Sequence, residues 1–318
     1  MARRRLLLLL KPFDVYPTCP SDGVTNPKTS FLLKTLQVLS YLDNRRSVHK
    51  DAINFCQNVL RKKLVDCIPV FRSNLSQPIR GVDLVITVGG DGTLLQASHL
   101  MDDSIPVLGV NSDPTQVKEV EEFIDKFDAT RSTGYLCAAT VKNFEHKLDE
   151  ILQGRTVPSE VSRMSICVNS ELLSTYALND VLVAHPCPAT VSRFSFRIKK
   201  DCVSRSPLVN CRSSGLRVST AAGSTAAMLS AGGFSMPILS KDLQYIVREP
   251  ISPRADISNL MHGIVQSEET MESTWYCQEG LIYIDGSHIV HSIQHGDMVE
   301  LSSKAPILKV FLPRHLQS

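Results

Sequence analysis

No apolar stretch in this chain approaches the ~20 residues that a bilayer-spanning helix needs. That absence argues against a helical membrane protein. The run Leu6 to Leu10 behind Ala2-Arg3-Arg4-Arg5 looks superficially like a secretion signal. Five leucines fall short of the usual 7–15 apolar residues, roughly, and Lys11-Pro12 ends the run without a small-residue cleavage site. A short buried strand accounts for it better. A marked charge imbalance is equally lacking. Lys and Arg number 34 against 32 Asp and Glu, a formal net charge of +2 on 318 residues. That balance gives no sign of the basic stripe expected of a nucleic-acid binder, nor of an acidic tail. No Cys-x-x-Cys pair occurs among nine cysteines, which excludes a disulfide framework and a structural zinc site built on close cysteine pairs. Reduced thiols suit a reducing compartment, so a cytoplasmic location is expected. The terminal His315-Leu316-Gln317-Ser318 is not a peroxisomal Ser-Lys-Leu-type address.

What remains is ordinary globular composition, 43% hydrophobic and 21% charged, in a length suited to two domains. The first half alternates strand and helix patterns. Leu6–Leu10, Asp83–Val88 and Ile105–Val110 read as buried strands, with a polar loop from the first to about Lys28. Val48, Ala52, Phe55, Cys56, Val59 and Leu60 repeat at helical steps, as do Val141, Phe144, Leu148 and Ile151 before Gly154. This predicts an α/β domain with a parallel, Rossmann-like sheet over residues 1–145. After about residue 160 the period becomes two, seen in Phe194, Phe196 and Ile198. Leu281–Ile284 and Ile289–Ile293 flank Asp285-Gly286, which reads equally as a plain hairpin turn or a ligand contact and is left out of the candidate site. His185 in Ala-His-Pro reads as structural. A β-rich, sandwich-like domain over 146–318 follows, with Pro306–Leu312 as a last strand and the C-terminal segment free to pack back on the first domain.

The chemistry concentrates in Gly89-Gly90-Asp91-Gly92-Thr93, directly behind a buried strand. Glycines permit positive φ and let backbone N–H groups approach an anion. A helix starting near Thr93 would add its unpaired N–H groups and positive dipole end. The Gly-Lys-Ser/Thr tail of a Walker loop is absent. Taken alone, the pattern admits two readings: a phosphate cradle holding a carboxylate, or a tight turn in which Asp91 caps a helix. Three further features invite a ligand. Asn179-Asp180 sits among apolar residues, where unpartnered polar groups are costly. Thr220 to Ser230 is almost all small residues, as close approach of backbone to ligand, or tight helix packing, requires. Arg212 is a candidate phosphate partner.

GGDGT behind Val85-Ile86-Thr87-Val88 resembles the loop shared by NAD kinases and by diacylglycerol and sphingosine kinases. Ala177-Leu178-Asn179-Asp180 resembles the NAD-kinase Asn-Glu/Asp motif. Arg212-Ser213-Ser214-Gly215, followed by Thr220-Ala221-Ala222-Gly223-Ser224-Thr225-Ala226-Ala227 and Ser230-Ala231-Gly232-Gly233, is similar to a third motif of that family. Their order and spacing fit over Leu6 to Leu312. Gly109 to Thr115 and Arg248 to Pro253 resemble the plant NADH kinase branch. Two positions depart: Ser214 stands where most NAD kinases have Asp, and Ala227 where they have Tyr.

The resemblance implies transfer of the γ-phosphoryl of ATP to the 2′-hydroxyl of the adenosine ribose of NADH, and more weakly of NAD+. It implies Asp91 as base or orienting acceptor, with Mg²⁺ carried on the ATP phosphates. Binding roles are implied for Gly89, Gly90, Gly92, Thr93, Asn111, Asn179, Asp180, Arg212, Gly223, Ser224, Thr225, Ala227 and Ser230. A dedicated metal site in the protein is not expected, and neither a nucleic-acid nor a membrane partner. A homodimer follows by family analogy, and peroxisomes are an alternative location because plant relatives reach them. The rival readings are a lipid kinase sharing GGDGT and a dinucleotide sensor without turnover.

Overall fold

Five consecutive leucines leave no polar face for solvent, and the chain places them inside a sheet. The computed structural model describes residues 3–13, 30–63, 65–200, 206–251 and 258–317, with backbone course alone for 30–37. Most of the loop expected before Lys28 lies outside the described residues. Strand β1 (Arg5–Leu10) pairs in parallel with β2 (Asp66–Phe71) on one side and β3 (Leu84–Gly89) on the other. Then β4 (Val107–Asn111) adds to β3, and β5 (Ala139–Thr140) pairs with β4, both in parallel. The edge strand β2 is unannounced by hydrophobicity, because Pro69 breaks its apolar run. Proline is tolerated there because an edge strand has an unpaired side.

Helix α1 (Ser30–Lys62) buries Ala52, Ile53, Cys56, Val59 and Leu60. Phe55, expected on that face, is exposed, and Ile53 takes its place. The other helices of this region are α2 (Asp91–Ser98), α3 (Val117–Phe123) and α4 (Phe144–Leu152). The expected boundary at 145 falls inside α4, whose Phe144, Leu148 and Ile151 join the core of Leu6, Leu8, Ile86 and Leu108. The chain accordingly divides into one compact unit of 1–159 with 309–318, and a second of 160–308.

Strand β6 (Ser159–Val161) leads out of the first unit. In the second, β7 (Ser165–Val168), β8 (Glu171–Leu172), β9 (Asp180–Ala184), β10 (Ser192–Lys199), β11 (Val209–Ser213) and β12 (Gly215–Ser219) come first. A short helix α5 (Ala227–Ser230) precedes β13 (Leu243–Arg248), β14 (His262–Val265), β15 (Thr270–Trp275), β16 (Glu279–Ile284), β17 (Ile289–Gln294) and β18 (Met298–Ser302). They form two six-stranded antiparallel sheets, β11-β10-β15-β18-β7-β8 and β14-β13-β12-β9-β16-β17. Phe194, Phe196, Met271 and Trp275 of one share a core with Val181, Val183, Leu216 and Tyr245 of the other. This is the sandwich that the period of two predicts. The last strand, β19 (Leu308–Phe311), is parallel instead and pairs with β4.

Candidate functional site: a glycine loop and a buried Asn-Asp turn

Only Gly90 separates the end of β3 from the start of α2, so the helix begins at Asp91 and not at Thr93. Gly89, Gly90 and Gly92 do not take positive φ, against the sequence expectation. Glycine is needed at two of them for space. A Cβ at Gly89 would overlap Thr93 Oγ1, and one at Gly90 would overlap Ser132 Oγ. Gly92 is exposed, while Thr93 is buried and its N–H donates to the Gly90 carbonyl at 2.9 Å.

Asp91 is not the helix cap. Gly90 occupies that position, and no side chain caps it. The Asp91 carboxylate instead accepts the Tyr135 N–H at 2.8 Å through Oδ2 and the Leu136 N–H at 2.9 Å through Oδ1. The Cys137 thiol lies 3.6 Å from Oδ1. Burial pushes this carboxyl above its ordinary pKa, and the two amides oppose the shift without cancelling it. An ionised carboxylate has about four lone-pair sites, so acceptor capacity remains.

Beside the loop lies a cavity of about 280 Å³, lined in part by Lys11, Gly89, Gly90, Asn111, Ser112 and Arg131. Lys11 follows β1 directly, Gly89 ends β3 and Asn111 ends β4, so the cavity opens at the carboxyl ends of parallel strands. Ligands of open α/β sheets bind in that place. Burial lowers the Lys11 pKa first, and repulsion from Arg72 lowers it further. The Arg131 guanidinium packs 4.4 Å over the Tyr41 ring, and its Nη2 is buried with no hydrogen-bond partner among the described residues. Asn111 is a wall of the cavity: Nδ2 donates to the Ser132 carbonyl at 3.1 Å, and Oδ1 accepts the Asp113 N–H at 3.3 Å. His49 fastens the same region, with Nε2 3.0 Å from the Lys11 carbonyl and Nδ1 2.8 Å from Ser112 Oγ. A carbonyl can only accept, so Nε2 carries a proton.

The second unit gathers another set at the start of β9. Asp180 pairs with Arg217 of β12, and both side chains are largely buried. Burial raises the Asp180 carboxyl above its ordinary range, Arg217 draws it back, and Asp285 pushes it up again. The Asn179 carbonyl accepts the Thr220 N–H at 2.9 Å, and Thr220 Oγ1 donates to the Leu178 carbonyl at 2.5 Å. A Cβ at Gly223 would overlap the Asn179 backbone, so these two segments touch as backbone against backbone. Ser224 Oγ donates to the Ala221 carbonyl at 2.7 Å and accepts the Met236 N–H at 2.9 Å, which shapes the turn. The small-residue stretch is not one helix. A 3-10 turn over Ala222–Thr225 stops at Ala226, and α5 then presents Ala227 and Ser230 as exposed residues.

The structure therefore brings Gly89 to Thr93 together with Asn111, and separately Asn179 and Asp180 with Gly223. Ser224 and Thr225 follow Gly223 in its turn. Arg212 is exposed on β11, in the other sheet of the sandwich from Asp180. Sequence reasoning missed Lys11, Arg131, Arg217 and Asp285. Lys11 alone carried a usable signal, its position at the carboxyl end of a predicted parallel strand.

A cavity flanked by glycines, Lys11 and Arg131 at the carboxyl edge of a parallel sheet, beside the half-buried Asp91, is the arrangement of an α/β protein suited to a phosphate-bearing nucleotide. The pattern of the ATP-NAD kinase N-terminal domain matches residues 3–114, and that of the C-terminal domain matches residues 148–306. The chain belongs to the ATP-NAD kinase family. It is 62% identical over 313 residues to an NADH kinase of Arabidopsis thaliana, covering 98% of this chain and 96% of that one. It is 58% identical over 329 residues to a probable NADH kinase of Oryza sativa subsp. japonica, covering 99% and 98%. An Archaeoglobus fulgidus NAD kinase crystallised with ATP shares the fold at a TM-score of 0.65 and 18% identity, over 98% of this chain and 95% of that one. Yeast NADH kinase complexed with NADH does so at 0.63 and 15%, over 98% and 84%.

Proposed function

We propose that this chain transfers the γ-phosphoryl of ATP to the 2′-hydroxyl of the adenosine ribose of NADH, giving NADPH, and acts more weakly on NAD+. The observation that carries the phosphoryl-transfer reading is the Gly89–Thr93 loop opening on a cavity that Lys11 and Arg131 line. The choice of NADH rests on the two plant relatives. Family membership replaces the lipid-kinase reading of GGDGT.

In this reading the loop and Lys11 and Arg131 hold the triphosphate, and the dinucleotide is held by Asn179 and Asp180 with the Gly223–Ser230 segment. Asp91 orients the ribose hydroxyl and accepts its proton. Phosphoryl transfer has a loose transition state and depends more on positioning and charge than on a strong base, so a carboxylate suffices. Mg²⁺ bound with the ATP phosphates would neutralise the charge developing on them. Of the two carboxylates at the loop, Asp91 would be the one able to help hold such an ion. Asp91 keeps spare lone pairs, whereas Asp113 is committed to Arg45 at 3.4 Å.

A homodimer is proposed by family analogy, and a cytoplasmic location by the seven described cysteines, all free thiols. Light scattering and cell fractionation test these two points. The reaction itself is tested by following NADPH from NADH and NADP+ from NAD+ with ATP and Mg²⁺, for the wild type and Asp91→Ala. Turnover favouring NADH, lost in the variant, is expected. A folded wild type that binds both dinucleotides yet turns over neither would leave a sensor in place of an enzyme.

A further inference from the structure

Between β16 and β17 the chain reverses through Asp285-Gly286, with φ of +51° and +106°. Aspartate, asparagine and glycine all suit such positions, so the hairpin by itself has no need of a carboxylate. The carboxylate is nevertheless fully engaged elsewhere. Oδ2 accepts the Leu178 N–H at 2.8 Å, and Oδ1 accepts both the Asn179 N–H at 2.7 Å and the Asp180 N–H at 2.9 Å. The Asp285 N–H returns a bond to the Asp180 carbonyl at 2.9 Å. Three successive amides converging on one ionised group make charge-assisted bonds, which are short and strong.

This grip falls on the peptide that carries Asn179. On its other side, the Asn179 carbonyl is held by the Thr220 N–H, and Gly223 approaches that backbone so closely that a Cβ there would overlap it. A backbone fixed from two sides fixes the direction of its side chain. Asn179 Oδ1 is buried and has no hydrogen-bond partner among the described residues. A buried acceptor left unmet is unfavourable, so the position is prepared for a donor that the protein does not supply.

We propose that Asp285 is a positioning residue for the dinucleotide, holding residues 178–180 so that Asn179 and Asp180 meet a hydroxyl-bearing ligand in one fixed geometry. The assignment rests on the kinase reading given above. Asp285 touches no substrate itself. Its effect passes through the peptide of Asn179, and displacements on the order of 1 Å in such a support are enough to change binding and rate strongly.

The discriminating variant is Asp285→Asn. Asparagine keeps the turn, because it accepts positive φ readily. Its amide has a single acceptor oxygen, and its NH₂ would face a backbone N–H, so three amides cannot be served. The expected result is a rise of about tenfold or more in KM for NADH, with KM for ATP changed by less than about twofold and only a modest fall in melting temperature from the unmet amide. Asp285→Ala should lose both the grip and the turn preference, lowering the melting temperature as well. Direct titration of NADH fluorescence should show the same loss of affinity in the Asn variant without ATP present.

A folded Asp285→Asn protein with unchanged KM and unchanged NADH affinity would overturn the proposal. So would equal losses toward NADH and ATP that track a fall in melting temperature, which is the signature of a merely structural turn. A wild type that binds NADH without phosphorylating it would sink the kinase reading alone, and weaker NADH binding in the variant would still carry the role of Asp285. A wild type without affinity for the dinucleotide overturns both.

Discussion

Arg217 donates through Nη1 to Oδ2 of Asp180 inside the second unit, and the two side chains are only 14% and 12% exposed. Strands β9 and β12 run antiparallel side by side, with Arg217 opposite Leu182 and Asp180 opposite Ser219. The pair therefore joins neighbouring strands diagonally. Removing one member of such a buried pair leaves a charge that burial penalises. Arg217→Met should lower stability by ~3–5 kcal/mol in urea unfolding at pH 7, with Arg217→Lys recovering part of the loss. A change below about 1 kcal/mol would place the pair among exposed ones of little consequence.

Asp91 governs how activity depends on acid. Burial raises its carboxyl above the ordinary value, and only the ionised form can accept the ribose proton. The acid limb of kcat/KM for NADH should therefore lie above ~3.9, activity falling as pH drops through the raised value. Asp91→Asn should lower kcat about 100-fold or more while the far-ultraviolet circular dichroism is unchanged. A limb at the same pH in the residual activity of the variant would assign it to another group.

His49 makes a separate mark on stability. Its pKa is lowered, chiefly by burial, with Lys11 and Arg72 adding repulsion. A histidine depressed in the folded state contributes stability that is present above its unfolded value of ~6.5 and is lost as pH falls through the folded value. Melting temperatures followed downward from pH 7.5 should fall more steeply for the wild type than for His49→Gln. Parallel curves would remove His49 from the acid response.

Lys11 and Arg131 can be tested as phosphate holders. A charge-assisted hydrogen bond is worth ~1.5–3 kcal/mol, which corresponds to roughly ten- to a hundredfold in affinity. Lys11→Met and Arg131→Met should each raise KM for ATP by about that factor, with KM for NADH nearly constant. An equal rise for both substrates would show a general collapse of the loop.

The sequence made the β1, β3 and β4 strands legible because a parallel strand buried on both faces is apolar throughout. Motif order made the glycine loop and the Asn179-Asp180 turn legible as well. Strand β2 was hidden because an edge strand has no need of continuous apolar character, and Pro69 could remain in it. Arg217 and Asp285 were hidden for a different reason. Their partners lie 37 and more than 100 residues away, and no local period reports a hydrogen bond across sheets or turns. Positive φ, one of the two reasons read for the loop glycines, does not hold at any of the three. Gly89 and Gly90 are instead required by the contacts with Thr93 and Ser132.

Strand β19 has a consequence for biosynthesis. The α/β unit is encoded in two pieces, and residues 160–308 must leave the ribosome between them. At ~5–20 residues per second, that interval lasts roughly 7–30 s. Throughout it β4 lacks the neighbour that Val310 and Phe311 will provide opposite Val107 and Leu108. A nascent chain thus leaves Val107 and Leu108 on an open strand edge while its second unit is already free to fold, so the first half of the α/β sheet is completed last.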